Sequence, residues 1–167
     1  KEVVLSTQAL LESESDLKTL RRITGNGKFA TEANDMGAVH LLSSAKLPFV
    51  AGPHINTYNP QTLALLAELG ARRWVMPLEM SRAALSHMLA AKPAGMETEV
   101  FAYGRMPLAF SARCFTARHY NLPKDDCQFR CLDYPDGLRL TTREGQDFLV
   151  LNGIQTLSAG VYNLVNE

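Results

Sequence analysis

Cys114, Cys127 and Cys131 are the three cysteines of the chain, and all fall in one run, "ARCFTARHYNLPKDDCQFRCLDYPDG", spaced C-x12-C-x3-C. Thiolates are soft ligands that suit zinc and iron–sulfur clusters. A C-x3-C pair reaches one metal ion or one cluster edge, and Cys114 could fold back across the loop carrying Pro123 to join it. Three readings of the run compete. The first is a [4Fe–4S] cluster completed by a fourth cysteine from elsewhere. The second is a structural Cys3His zinc with His119 as fourth ligand. The third is a set of free thiols, with Cys114 a small core residue. Lys124, Asp125, Asp126 and Arg130 argue against apolar burial of the Cys127–Cys131 pair. A nucleophilic thiol, Cys114 served by His119, is a further reading.

A second group of chemically able residues gathers where apolar runs give way to polar ones: Ser6, Thr7, Glu32, Asn34, His54, Asn56, Glu79 and Tyr103. Glu32 and Glu79 each read as lying just inside an apolar run. A carboxylate in such a place needs a partner, a metal or a ligand. With His54 and Asn56 they form the candidate substrate-binding set. Asn34 or Asp35 reads as the cap of one helix and Asn59 and Ser81 as caps of two others, His40 and His87 as packing or surface residues, and Arg72-Arg73 as a solvated strand end.

The elements that must position these residues follow from hydrophobic period. Strands are predicted at "EVVLST" (2–7), "KFATEA" (28–33), "LPFVAG" (47–52), "RRWVMPL" (72–78) and "ETEVFAYG" (97–104). Helices are predicted between them, at 8–23, 34–45, 59–69 and 81–92. Asn59, Pro60 and Gly70 show the N-cap, N1 and post-helix asymmetry. The cysteine loop is expected over 105–137, followed by strands at "LRLTTRE" and "DFLVLNG" in a hairpin turning near Glu144-Gly145. Strand–helix alternation with short connections makes parallel (β/α) units. The expected fold is α/β, part of a TIM-barrel-like domain, with residues 1–167 one incomplete barrel domain. Polar residues at successive strand ends favour the barrel, whose chemistry sits at the C-terminal face. No G-x-G-x-x-G follows a strand, which removes the best support for a dinucleotide-binding open sheet.

Composition bounds the function classes. The 167 residues are 46% hydrophobic, and Lys+Arg and Asp+Glu balance at 17 each. No net field invites nucleic acid or an anionic membrane. No apolar run approaches the ~20 residues of a membrane span. The odd cysteine count, with no signal-peptide pattern, points to a reducing, cytoplasmic compartment.

"ETEVFAYGRMPLAFSARC" resembles the signature of the collagenase-like peptidase family, unknown-type family thirty-two. Glu99, Phe101, Gly104, Met106 and Cys114 occupy the places of that signature's Glu, Phe, Gly, aliphatic residue and second Cys. "AELGARRWVMPLEMSRAAL" is similar to the family segment ending in a Glu-Leu-Ser-like triplet, here Glu79-Met80-Ser81. The departures are Pro107 in place of the first signature Cys and Ala112 in place of Gly. With "SARCFTAR", the C-x12-C-x3-C loop and "LNGIQTLS", they resemble a branch of the family concerned with ubiquinone. The resemblance implies a (β/α) barrel-like domain and an iron–sulfur protein rather than a hydrolase. It implies O2-independent hydroxylation of the aromatic quinone precursor, in a heterodimer with a sister family protein, UbiU. It implies a [4Fe–4S] cluster in the intact protein on Cys114, Cys127, Cys131 and a fourth cysteine upstream of Lys1, with relatives also continuing past Glu167. The alternatives are a collagenase-like peptidase, for which neither H-E-x-x-H nor an activated nucleophile is recognisable, and a scaffold protein with the Cys3His zinc.

Overall fold

A computed structural model describes residues 2–111, 113–123, 126–152 and 156–163, with side chains except at 103–104, 152 and 156–163. The span expected to form one barrel-like domain divides into two compact units, Lys1–Phe101 and Ala102–Glu167.

The first unit is a parallel sheet of β1 (Val4–Ser6), β2 (Ala30–Ala33), β3 (Phe49–Ala51), β4 (Ala71–Val75) and β5 (Glu97–Glu99). The helices α1 (Glu14–Thr24), α2 (Met36–Ser44), α3 (Pro60–Glu68) and α4 (Arg82–Ala90) alternate with them. Spatial order follows chain order from β1 to β5. A doubly wound sheet reverses direction at a switch point, whereas a barrel steps round one way. The α/β, TIM-barrel-like expectation is therefore met. Arg73 of β4 reaches Glu2, just ahead of β1, with its guanidinium 2.7 Å from the carboxylate.

Caps set the helix boundaries. α1 starts at Glu14 rather than at the expected Gln8, because Ser13 opens a capping box. The Ser13 hydroxyl accepts from the Asp16 N–H at 3.1 Å, and the Asp16 carboxylate accepts from the Ser13 N–H at 3.0 Å. Asp35 caps α2, leaving Asn34 for another task. Asn59 and Ser81 cap α3 and α4 as expected. Gly70 ends the α3 turn at φ +112°, a conformation that strains any residue with a Cβ.

The two sheet faces have different roles. Ala33, Phe49, Ala51 and Trp74 are buried with Leu20, Leu42, Leu63, Leu66 and Met88 of the helices, forming the core. Each such large apolar side chain contributes roughly 1.5–3 kcal/mol. Ser6, Glu32, Val50, Arg73 and Glu97 stand in one register row, so they share the opposite face.

β5 stops at Glu99, five residues before the expected Gly104, and the Met76 N–H closes onto the Glu99 carbonyl at 3.0 Å. The next strand, β6 (Tyr103–Phe110), takes the last two residues of the expected fifth strand and residues 105–110, read from sequence as the start of the cysteine loop. Pro107 hid it, since proline cannot donate to a ladder and demotes a run that contains it. The residue is accommodated because β6 is an outer strand whose register shifts between Pro107 and Ala109. β6 pairs antiparallel with β9 (Thr156–Asn163), which pairs with β8 (Asp147–Asn152) and through it with β7 (Leu138–Thr141). The β7–β8 hairpin turns as expected, with Gly145 at φ +83° and its N–H bonded to the Thr142 carbonyl. Among the described residues no helix is long and apolar enough to cross a membrane.

Candidate functional site

At the C-terminal ends of β1, β2 and β3 the polar residues form one hydrogen-bonded group. The Glu32 Oε1 accepts from the Ser6 hydroxyl at 2.7 Å and from the Asn34 side-chain amide at 2.7 Å. The same Asn34 amide lies 2.9 Å from Ser6 Oγ and 3.3 Å from the Thr7 carbonyl. Its backbone N–H donates to the Thr7 hydroxyl at 2.9 Å, and its Oδ1 accepts from the His54 backbone N–H at 3.3 Å. Asn34 is 3% exposed, so these bonds satisfy a polar side chain that burial would otherwise penalise. Gly52 makes room for it: a Cβ there would sit 2.2 Å from Asn34 Oδ1.

His54 lies in the 3-10 turn Pro53–Ile55 that follows β3, half-buried. Burial pulls its pKa below the usual 6.5, and the Glu32 charge opposes that pull. At neutral pH the imidazole is therefore uncharged, within the field of a carboxylate held by two donors. Such a pair can accept, hold and return a proton.

The other expected site residues fall elsewhere. Asn56 is exposed and ends the turn in the left-handed conformation, φ +59°. Glu79 is not inside a strand: it is exposed in the turn after β4, because the strand ends at Val75 and the Met80 N–H bonds back to the Pro77 carbonyl. The Tyr103 side chain lies outside the described ones.

Sequence reasoning missed two members of this face. Asn34 was expected to be a loop or cap residue, with Asp35 the alternative cap, and it is Asp35 that caps. Arg73 was expected to be solvated, but its guanidinium reaches Glu2 and Glu97 at 2.7 Å and Glu99 at 3.6 Å. Hydrogen bonds to Glu2 and Glu97 raise its pKa further. A cavity of about 540 Å³ opens at the N-terminal strand ends, lined by Asn26, Phe29, Leu42, Pro48, Arg72 and Glu97 among others. It lies at the sheet end opposite Glu32 and His54.

The cysteines belong to the second unit. Cys114 is the N-cap of α5 (Phe115–His119); its sulfur, 5% exposed, accepts from the Ala117 N–H at 3.3 Å. Cys131 lies in the 3-10 helix Arg130–Asp133, and Cys127 precedes it; both are half-buried and all three thiols are free. α5 packs against that 3-10 helix. The contact is fastened by a Tyr120–Tyr134 hydroxyl hydrogen bond and by Arg130, whose guanidinium lies 5.7 Å over the Tyr120 ring. His119 is exposed and meets Tyr120 edge-on at 4.9 Å.

Residues 2–147 match peptidase family U32. The chain belongs to that family. No solved structure matches it.

For this U32 chain the thiols suit an iron–sulfur centre in kind, being soft donors on two touching elements. As folded here, among the described residues no three His, Cys, Asp or Glu side chains form a metal-holding group. The Cys114 sulfur is already engaged as a cap.

Proposed function

We propose that the chain is part of a UbiV-branch protein that works with UbiU in O2-independent ubiquinone biosynthesis, at hydroxylation of the aromatic quinone precursor. In this reading Cys114, Cys127 and Cys131 are three of four ligands of a [4Fe–4S] cluster, the fourth lying outside residues 1–167. When bound, such a cluster supplies one-electron chemistry where no oxygenase iron site operates. The observation that carries the reading is the gathering of every cysteine of a U32 chain on α5, its neighbouring 3-10 helix and the loop between them. For the sulfurs to share one centre, Cys114 must leave its cap, and the Tyr120–Tyr134 bond would keep the two segments together meanwhile.

The family description is that of a peptidase, but no H-E-x-x-H occurs in the sequence. The Glu32–His54 pair has no nucleophile assigned to it.

The test is anaerobic reconstitution of the full-length protein followed by iron and sulfide analysis. About four irons and four sulfides per chain, lost on Cys127→Ala, are expected. One zinc per chain and a colourless sample sensitive to His119→Ala would replace the cluster with the Cys3His site. Unchanged ubiquinone in a deletion strain grown without O2 would remove the biosynthetic role.

A further inference from the structure

We propose that the cavity at the N-terminal strand ends binds a small apolar molecule bearing one anionic head, a carboxylate or a phosphate. Its volume of about 540 Å³ falls in the range of small-molecule pockets, roughly 300–1,000 Å³. Its lining belongs wholly to the first unit. Leu42 and Phe49 of the core line it, and so do Ala30 and Val50 of the opposite sheet face. Phe29 and Leu47 complete the apolar part and are 39% and 42% exposed. The hydrocarbon body of a ligand would take that surface out of water.

The head group follows from the charges. The lining holds three cations, Lys28, Arg72 and Arg73, against two carboxylates, Glu2 and Glu97. Both carboxylates are engaged by Arg73, each 2.7 Å from its guanidinium. Lys28 and Arg72 are exposed and, among the described residues, enter no ion pair. The Lys28 ammonium instead lies 5.1 Å over the Phe29 ring, so a cation stands directly beside apolar surface. Their loop is held in shape by Asn26. Its Oδ1 accepts from the Lys28 and Phe29 backbone N–H groups at 2.9 and 2.6 Å, and its amide donates to the Ile23 carbonyl at 2.7 Å. A wall already ordered loses less freedom when a ligand arrives. Carboxylate and phosphate oxygens are the complements of an ammonium and a guanidinium, whereas a cationic ligand would have to draw Glu2 or Glu97 away from Arg73. Barrel chemistry sits at the opposite strand ends, so binding and not reaction is assigned to this one.

The site stands apart from the cluster reading, since its residues lie in Lys1–Phe101 and the thiols in Ala102–Glu167. It is tested on the full-length protein without metal, so failure of one idea leaves the other untouched. Naphthoate, naphthyl phosphate, neutral naphthol and cationic naphthylmethylamine are titrated separately while the Phe29 ring and the Leu47 and Val50 methyls are followed by NMR. Saturable shifts are expected with at least one anion, and the tighter of the two identifies the head as carboxylate or phosphate. Naphthol should bind roughly tenfold more weakly than that anion, and the amine more weakly still. Lys28→Met and Arg72→Met, checked for folding by circular dichroism, should each weaken the anion about three- to tenfold and leave naphthol unchanged. Leu47→Gln should weaken the anions and naphthol alike. Shifts with neither anion at the highest soluble concentration, an amine that binds as tightly as the anions, or anion affinity unmoved by both Met variants overturns the proposal.

Discussion

His54 shows how one residue reports on its surroundings. Its pKa lies below 6.5 because burial outweighs the attraction of Glu32. Glu32→Gln removes the opposing charge, so the His54 pKa should fall further, as read from its ring-proton titration; an unchanged or raised value would mean that the two do not interact. The sign for stability follows. The unfolded chain takes up the His54 proton near 6.5, whereas the folded chain resists it until a lower pH. The contribution is complete above 6.5 and lost as pH falls through the folded value. Urea unfolding should show a stability drop between about pH 7.5 and 5.5 that His54→Gln reduces. The thiols differ in the same local way. Cys114 is 5% exposed and Cys127 and Cys131 half-buried, so a thiol reagent should label two sites quickly and Cys114 slowly in the metal-free protein. Denaturant should bring the three rates together. Three equal rates in the native protein would contradict the cap.

Two elements depend on single positions whose importance lies in geometry. Gly52, between β3 and its 3-10 turn, has no space for a Cβ, which would meet Asn34 Oδ1 at 2.2 Å and the Ala33 carbonyl at 2.8 Å. Gly52→Ala should cost about 1–3 kcal/mol in chemical denaturation, as overpacking of a rigid site does. It should also disturb the His54 resonance, because the turn and Asn34 move together. Ser13→Ala removes one half of the α1 capping box and should cost about 1 kcal/mol without touching His54. The contrast separates a general loss of stability from a loss confined to the site.

At the scale of the whole molecule, the sheet of the first unit is joined across by Arg73, which links Glu2 ahead of β1 to Glu97 and Glu99 of β5. The three carboxylates are more than half exposed, so each pair is weak. Arg73→Met should lower stability by only about 1 kcal/mol, and the loss should shrink in high salt as screening removes both the attraction and the leftover repulsion. A salt-independent loss of several kcal/mol would mean that Arg73 acts through packing instead.

Periodicity and caps made the (β/α) rhythm legible: alternating apolar runs located five strands, and Asn59-Pro60 and Ser81 opened helices where expected. These are local signals, encoded within a few residues of where they act. Cysteine spacing likewise marked the one segment rich in soft donors. What tertiary structure alone decided were relations between residues far apart in the chain. Asn34 became a buried bridge because β1 and the turn after β3 arrive beside it. Glu79 became an exposed turn residue because β4 ended early, and Arg73 became an ion-pair centre because Glu2 and the β5 carboxylates come within its reach. Residues 105–110 became a strand because β9, some fifty positions later, supplied the partner that Pro107 made hard to foresee. Hydrogen bonds and ion pairs between distant segments are settled by three-dimensional approach, and no pattern within a short window records them.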